Sequence, residues 1–127
     1  MNRPAGLPPS ARLRHAADFA VLRSAAGRMD TRYFLIRYCN GGMASSRLGL
    51  AVSKRVSKSA VQRNRIKRLT RESFRRARKD MPTWDVLVIA RTRAADIENA
   101  ALRADLERAW LRLQALKQER APGTISG

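Results

Sequence analysis

The chain has 127 residues and a formal net charge of +17, because 27 Lys and Arg outnumber 10 Asp and Glu. This length suits one domain, and a hydrophobic content of 44% can fill one modest core, which excludes a basic disordered tail. No window is apolar enough to span a membrane and no signal-peptide pattern is present, so we expect a cytoplasmic protein without a membrane partner.

The chain has one cysteine, Cys39, and one histidine, His15. This count excludes intramolecular disulfides and zinc sites built from Cys and His. A catalytic histidine would have to be His15, which has no nucleophile motif near it. We therefore expect neither catalytic residues nor a metal site on the protein.

The two ends of the chain are predicted to be irregular. Three of the five prolines lie in residues 1–11, which predicts a flexible arm, and residues 119–127 predict a flexible tail. Neither end is expected to contribute to the core of the single domain, which should occupy residues 12–118. Within that domain, Phe19 and Leu22 indicate a short helix over residues 16–26 that ends at Gly27.

Two strands are predicted next. Residues 32–38 are rich in aromatic and branched side chains and alternate, with one face formed by Phe34, Ile36 and Tyr38 and the other by Tyr33, Leu35 and Arg37. Asn40, Gly41 and Gly42 form a turn. Residues 48–53 then alternate between apolar Leu48, Leu50 and Val52 and the smaller Gly49, Ala51 and Ser53. We expect these two strands to form an antiparallel pair.

The second half of the chain predicts a helix, a strand and a helix. Residues 59–79 have helical periodicity, with Ser59 as the N-cap and Pro82 just past the end. The apolar run at 85–90 predicts a central strand covered on both faces. An amphipathic helix that packs on the sheet is predicted from Leu102, Leu106, Ala109, Trp110 and Leu113. This order predicts an α/β fold, a two-layer α+β sandwich with about three helices on a small mixed sheet in the order α-β-β-α-β-α.

The positive charge is concentrated in the middle of the chain. Residues 31–80 contain fifteen basic and two acidic side chains, and Thr31 through Arg71 contain eleven basic residues and no acid. Ion pairs within that stretch cannot neutralise it, so its field favours a polyanion such as a nucleic acid.

The helix at 59–79 carries most of this charge. A stripe that should face the sheet consists of Ile66, Leu69, Ser73 and Ala77. The opposite side collects Asn64, Lys67, Arg68, Arg71, Arg75 and Arg78, with Arg63, Arg65 and Arg76 on the flanks. Cations three or four residues apart repel each other, and phosphates would relieve that repulsion through paired hydrogen bonds to the guanidinium groups. Asn64 could bond RNA or a neighbouring backbone group, and both interpretations stay open.

The segment from Arg63 to Arg75, RNRIKRLTRESFR, closely resembles the signature of the bacterial ribonuclease P protein family. The resemblance extends to Asp18-Phe19, to residues 47–55 and 84–90, and to Leu106 and Trp110, so that it covers residues 12–115. It implies a left-handed crossover around the signature helix.

The resemblance also implies a function. It suggests an RNA-binding subunit of an endoribonuclease, which helps a catalytic RNA to remove the 5′ leader of precursor tRNA. Hydrolysis is then expected in the RNA subunit, which would hold Mg²⁺. The implied partners are that RNA and precursor tRNA, and no obligate protein partner is expected.

The resemblance assigns roles to individual residues. Those expected against the catalytic RNA are Arg63, Asn64, Arg65, Lys67, Arg68, Arg71 and Arg75, together with Lys54 and Arg55 after the second strand. The residues expected at a cleft for the single-stranded leader are Phe19, His15, Arg23 and Tyr38, with Arg37 as an alternative to Tyr38. Phe19 could stack on a base or simply pack in the core. Arg23 replaces an aromatic residue common in the family.

Three other functions are alternatives. A ribosomal or other general RNA-binding protein would bind RNA without stimulating leader removal. A DNA-binding regulator would place the basic helix in the major groove, and a self-sufficient nuclease would need clustered carboxylates for metal. The sequence alone also predicts that Arg65→Ala and Arg68→Ala weaken assembly with the RNA and leave the fold intact.

Overall fold

The computed structural model describes residues 7, 11–13, 19–20, 22–23, 27–40, 46–81 and 83–119. Its four strands form one sheet and are β1 (Gly27–Asp30), β2 (Phe34–Asn40), β3 (Arg47–Ala51) and β4 (Trp84–Ala90). Two long helices follow the third and fourth strands, α1 (Ala60–Ala77) and α2 (Asn99–Glu119), with short 3₁₀ turns at Arg78–Asp80 and Thr92–Asp96. The predicted fold class, helices packed on a small mixed sheet, is confirmed.

The predicted N-terminal helix is described at four positions. Residues 19, 20, 22 and 23 are helical, and the rest of the predicted span 16–26 lies outside the described residues. His15 and Pro82 lie outside them as well.

The strand order is β1-β2-β4-β3, so β4 is an internal strand, as predicted. It pairs antiparallel with β2 and parallel with β3, so that Val88 faces Ile36 on one side and Leu50 on the other. The expected antiparallel pairing of the strands at 32–38 and 48–53 is therefore wrong, because β4 separates them. An internal strand forms backbone hydrogen bonds along both of its edges and is buried. The apolar sequence of β4 therefore suits the internal position better than a more polar strand would.

The strand β1 was missed by the sequence analysis. Gly27, which was expected to end a helix, is the first residue of this strand, and its neighbour across the sheet is Tyr38. A side-chain carbon at Gly27 would lie 2.5 Å from the Tyr38 ring, so this close approach requires glycine. Met29 is the only buried residue of β1, and one apolar side chain in four residues gives no detectable alternation.

The inner face of the sheet, which we define as the face that packs on α1 and α2, holds most of the core. Phe34 and Ile36 of β2 and Val86 and Val88 of β4 are buried there. Tyr38 lies on this face as well. Tyr33, which was expected on the opposite face, precedes β2 and packs against the same core. All five apolar residues predicted for the last helix are buried: Leu102, Leu106, Ala109, Trp110 and Leu113.

The buried stripe of α1 contacts α2 as well as the sheet. Trp110 Nε1 donates a hydrogen bond of 2.8 Å to Ser73 Oγ, and the ring of Trp110 meets Phe74 edge to face. Thr70 and Phe74 are buried together with the predicted Ile66, Leu69 and Ser73, which widens the stripe. The expectation that Ser73 faces the sheet is corrected by this contact with α2.

The N-terminal segment contributes to the core, contrary to expectation. Leu7 and Ala11 are 2% and 0% exposed and belong to the inner core. Arg12 forms a parallel bridge with Leu48, and the N–H of Leu13 donates a hydrogen bond of 2.8 Å to the Leu48 carbonyl. The segment thus pairs with the edge strand β3. This pairing explains why Ala11 and Leu13, which flank Arg12, are buried. At the other end, α2 extends to Glu119, one residue into the predicted tail.

Candidate nucleic-acid interface

The basic helix begins where the sequence predicts. Ser59 Oγ accepts a hydrogen bond of 3.2 Å from the N–H of Gln62, which confirms Ser59 as the N-cap of α1. Because the buried stripe of the helix packs inward, the opposite side faces solvent. We call the following set the cationic face of α1: Asn64, Lys67, Arg68, Arg71 and Arg75.

The members of the cationic face differ in exposure. Asn64 and Arg68 are exposed, whereas Lys67, Arg71 and Arg75 are half-buried. Burial lowers the pKa of the Arg71 guanidinium from its ordinary value, and the nearby positive charges of Arg12 and Arg68 lower it further. A bound anion would therefore offset the cost of partly burying the Arg71 charge and would reduce its repulsion by Arg12 and Arg68.

A cleft connects this face to the outer face of the sheet. It has a volume of about 180 Å³ and is lined by Leu7, Arg12, Leu13, Phe19, Leu48, Leu50, Lys67 and Arg71. We call it the N-terminal cleft. Its lining combines three cations and an aromatic ring, and it contains no carboxylate among the residues that the structure describes. Two features that the sequence analysis treated separately, the signature helix and Phe19, therefore meet in one concave surface.

Phe19 lies against the outer face of the sheet. A side-chain carbon at Gly49 would be 2.7 Å from its ring, so the ring packs directly on the β3 backbone. It also packs against a small cluster formed by Leu13, Leu22 and Leu87 and is itself only partly buried. The Arg23 guanidinium lies 6.0 Å from the centre of the Phe19 ring, within range of a cation–π contact. Phe19 therefore both packs and presents an exposed part beside Arg23.

Tyr38 does not lie in this cleft. It packs on the inner face, with its ring 5.2 Å from that of Trp84. Arg37, the alternative to Tyr38, is opposite Leu87, which in turn is opposite Gly49, so the three lie on the face that Phe19 covers. The expectation that Tyr38 lies in one cleft with Phe19 is therefore wrong, and Arg37 shares the face of Phe19, because neighbouring strand residues point to opposite faces. His15 lies outside the described residues.

Lys54 and Arg55 lie at the turn that leads from β3 into α1. The N–H of Val56 donates a hydrogen bond of 3.0 Å to the Ser53 carbonyl, which closes the turn around the two basic residues. Val52 and Val56 are buried at its ends, whereas Lys54 and Arg55 are exposed. The turn therefore presents both charges to solvent beside the first turns of α1.

Arg63 and Arg65 of the signature donate hydrogen bonds to backbone carbonyls. Arg63 NH1 donates to the carbonyls of Ser57 and Lys58, both at 3.0 Å, and so holds the loop before α1. Arg65 reaches the turn that precedes α2, where its donors meet the carbonyls of Ala95 at 3.1 Å and Ile97 at 3.2 Å. Arg65 also donates to the side chains of Gln62 and Asn99. No sequence signal indicates these acceptors, because most are backbone carbonyls.

Glu72 is the acid nearest to the cationic face. Its carboxylate accepts hydrogen bonds from Arg75 NH2 at 2.6 Å and Arg76 Nε at 3.2 Å. The hydrogen bond from Arg75 is the main reason that the pKa of Glu72 is lowered, and the same contact raises the pKa of Arg75. Arg75 therefore already has an anionic partner, and a phosphate would compete with Glu72 for it.

Arg12 was missed as a site residue. It lines the N-terminal cleft and lies close enough to Arg71 to lower the pKa of that residue. Its Nε donates a hydrogen bond of 3.0 Å to the Leu7 carbonyl. The sequence could not indicate this role, because Arg12 reaches the cleft through an isolated bridge and not through a periodic element.

The described residues offer neither a metal-binding cluster nor a membrane-spanning helix. No group of three or more His, Cys, Asp or Glu side chains in that part of the chain could hold a metal ion. None of the helices described is long and apolar enough to cross a membrane.

Comparison with known proteins gives one consistent family. The model of the ribonuclease P family matches residues 7–114. The ribonuclease P protein component of Pseudomonas aeruginosa is 41% identical over 103 residues, which cover 80% of this chain and 76% of that protein. That of Thioalkalivibrio sulfidiphilus is 39% identical over 108 residues, which cover 85% and 90%.

Solved structures agree with these relatives. The RNase P protein of Staphylococcus aureus matches with a TM-score of 0.73 at 31% identity, covering 87% of this chain and 96% of that one. The RNase P protein of Thermotoga maritima matches with a TM-score of 0.71 at 30% identity, covering 80% and 96%. The chain therefore belongs to the ribonuclease P protein family, the protein components of an endoribonuclease that processes tRNA.

Proposed function

We propose that this protein is the RNA-binding subunit of ribonuclease P and assists a catalytic RNA in removing the 5′ leader from precursor tRNA in the cytoplasm. One observation carries the proposal: the cationic face of α1 continues into the N-terminal cleft, which is lined by Arg12, Lys67, Arg71 and the Phe19 ring and by no carboxylate among the described residues. Family membership supports association with the ribonuclease P RNA.

The cationic face is suited to the RNA subunit. Arg68 and Asn64 are exposed at its centre, and Arg68 donates no hydrogen bond to any described residue. A guanidinium with free donors can bind phosphate oxygens in pairs. Lys54 and Arg55 extend the same charge beyond the start of α1. We therefore assign this face to the folded RNA backbone.

The N-terminal cleft is suited to a single strand. Proteins that bind single-stranded RNA combine cations along the backbone with aromatic rings that stack on bases. Here Phe19 supplies the ring, and Arg12, Lys67 and Arg71 supply the charges. Arg37 and Arg23 lie on the same face of the sheet or beside the ring. We assign the 5′ leader to this cleft.

The chemistry is assigned to the RNA subunit. Mg²⁺ would be held there and by the RNA–substrate complex, where it would supply the activated water and stabilise the leaving oxygen. The protein's part is to bind the leader and to stabilise the folded RNA subunit by neutralising its phosphates. Its own side chains position RNA and carry no step of the hydrolysis.

The proposal is tested by cleavage of a precursor tRNA at low Mg²⁺ concentration. Three reactions are compared: the protein alone, the cognate RNA subunit alone, and both together. We expect leader removal to be stimulated only in the combined reaction. Tight RNA binding without stimulation would indicate a general RNA-binding protein, and cleavage by the RNA-free protein would place the reaction on the protein itself.

A further inference from the structure

A second basic concavity lies between the two long helices, on the side of α1 away from the N-terminal cleft. This groove has a volume of about 300 Å³ and is lined by Arg65, Arg68, Leu69, Glu72, Asn99 and Arg103. We call it the α1–α2 groove. Arg68 belongs to the cationic face and Arg103 to α2, so the groove joins that face to a helix outside the signature.

The charges that line the groove are positive in balance. Three guanidinium groups line it, and the single carboxylate, that of Glu72, already accepts hydrogen bonds from Arg75 and Arg76. Arg65 is held at the end of the groove by the carbonyls of Ala95 and Ile97. Its charge remains there although four of its five N–H donors already have protein acceptors.

The other two guanidinium groups have donors to spare. Arg68 and Arg103 are exposed, and neither donates a hydrogen bond to a residue that the structure describes. Leu69, which is 5% exposed, contributes an apolar wall between them. Partial exclusion of water by such a wall strengthens an ion pair that forms beside it.

We propose that the α1–α2 groove binds a backbone phosphate of RNA between Arg68 and Arg103. This inference rests on the proposed function and extends it, because it assigns RNA contact to α2. A tetrahedral phosphate has enough oxygens to accept hydrogen bonds from two guanidinium groups at once, which suits two arginines facing one groove. RNA fits better than an isolated anion because the groove continues the cationic face of α1, so successive phosphates can occupy both.

The phosphate could belong to the RNA subunit or to precursor tRNA, and the experiment distinguishes the two. The test compares Arg103→Ala with Arg112→Ala, a matched control that removes a charge from another exposed position of α2, outside the groove. Affinity for the RNA subunit is measured with the full-length protein across a salt series. Affinity of the assembled holoenzyme for precursor tRNA is measured in parallel.

We expect Arg103→Ala to weaken one of the two affinities by about five- to tenfold at low salt and to reduce its log–log salt slope by about 0.7–0.9, the value for one phosphate. Arg112→Ala should change neither slope. Which of the two affinities falls, that for the RNA subunit or that for precursor tRNA, identifies the source of the phosphate. Because Arg103 makes no hydrogen bond to the described protein, the melting temperature should not change.

A double-variant cycle tests whether the two arginines share a ligand. If Arg68 and Arg103 bind the same phosphate, Arg68→Ala combined with Arg103→Ala should lose less affinity than the two single losses together. Equal behaviour of the Arg103 and Arg112 variants in both arms would overturn the inference, as would strict additivity of Arg68→Ala and Arg103→Ala. A flat salt response of the unmodified protein would instead contradict the proposed function.

Discussion

Arg65 and Arg68 are three residues apart in the signature, yet their guanidinium groups have different surroundings. Arg65 donates to two backbone carbonyls and two side chains, whereas Arg68 is exposed and donates to no described residue. Arg65 thus connects α1 to the turn before α2. The sequence-based expectation that both alanine variants leave the fold intact is therefore kept for Arg68 and replaced for Arg65.

We predict that Arg65→Ala lowers the free energy of unfolding by about 1–3 kcal/mol, because it leaves acceptors at the start of α2 without a partner. The salt slope for RNA binding should change less than in Arg68→Ala, since four of the five N–H donors of Arg65 already bind protein. Arg68→Ala should instead leave the melting temperature unchanged and reduce the salt slope by about 0.7–0.9. Thermal denaturation and a salt titration of both variants make the comparison, and a stable Arg65→Ala protein with a slope reduced as much as in Arg68→Ala would contradict it.

Glu72 gives a prediction about pH. Because its hydrogen bond with Arg75 lowers its pKa in the folded protein, its stabilising contribution is fully present above the unfolded-state pKa and is lost as the pH falls through the lower folded-state value. Glu72→Gln should therefore melt at a lower temperature than the unmodified protein near neutral pH. The two melting curves should converge in acid, and a difference that persists at pH 2 would contradict this assignment.

These residue-scale roles show where inference from sequence ends. Helical periodicity correctly separated Ile66 and Leu69 from Arg68, because which face a residue occupies depends only on its spacing. Two of the partners of Arg65 are backbone carbonyls about 30 residues away in the chain, and a carbonyl has no identity in the sequence. The same limit hid the contact between Arg63 and the loop before α1.

At the scale of elements, two glycines allow close packing on opposite faces of the sheet. The ring of Phe19 approaches Gly49 on the outer face, and the ring of Tyr38 approaches Gly27 on the inner face. Each would meet a new methyl group at less than 3.0 Å. Comparing a substitution at Gly49 with one at Gly27 therefore distinguishes an effect on the N-terminal cleft from a general effect on packing.

We predict that Gly49→Ala displaces Phe19 and weakens binding of a precursor tRNA with a leader, but not of one without a leader. Gly27→Ala should cost similar stability, about 1–3 kcal/mol for an overpacked site, without this selective loss. Binding of the two substrates by the holoenzyme, together with melting temperatures, checks both variants. Equal loss for both substrates in Gly49→Ala would place Phe19 in the core alone.

Asp105 fixes α2 to the turn between β1 and β2. Its buried carboxylate accepts hydrogen bonds from Thr31 Oγ1 at 2.7 Å and from the N–H groups of Arg32 at 3.2 Å and Tyr33 at 2.9 Å. We predict that Asp105→Asn lowers the free energy of unfolding by about 2–4 kcal/mol. The amide has no charge, and its NH2 group would face the hydrogen-bond donors that the carboxylate now accepts from. Glu107→Gln, on an exposed position of the same helix, is the control for denaturant unfolding and should have no effect.

The elements themselves were largely predictable, but their arrangement was not. Alternation located β2 and assigned Phe34 and Ile36 to one face and Arg37 to the other, since that pattern is local. Which face the N-terminal segment covers depends on its bridge to Leu48, which joins residues far apart in the chain. For that reason Tyr38 was assigned to the wrong surface. The position of β4 between β2 and β3 likewise depends on contacts that span most of the domain.

At the scale of the whole molecule, the net charge of +17 is distributed so that binding should depend strongly on salt. If at least four phosphates contact Arg12, Lys67, Arg68 and Arg71, log K for RNA should fall with log salt with a slope of about −3 or steeper. Titrations of the RNA subunit from low to high salt check this value. A nearly flat line would contradict an electrostatic interface, and tighter binding of duplex DNA than of RNA would favour a DNA-binding protein.

The place of β4 in the sheet also determines when the domain can fold during synthesis. β2 and β3 are not neighbours in the sheet, and although β1 can pair with β2 earlier, the strand that joins β2 to β3 exists only when residues 84–90 have been made. Until then the ribosome carries a chain that includes the acid-free basic stretch at 31–71 but lacks the strand that joins the sheet. Pairing across such long separations in sequence is slow compared with local helix formation. The nascent protein is therefore expected to expose this basic segment as an unfolded polycation before it presents the segment as an ordered surface.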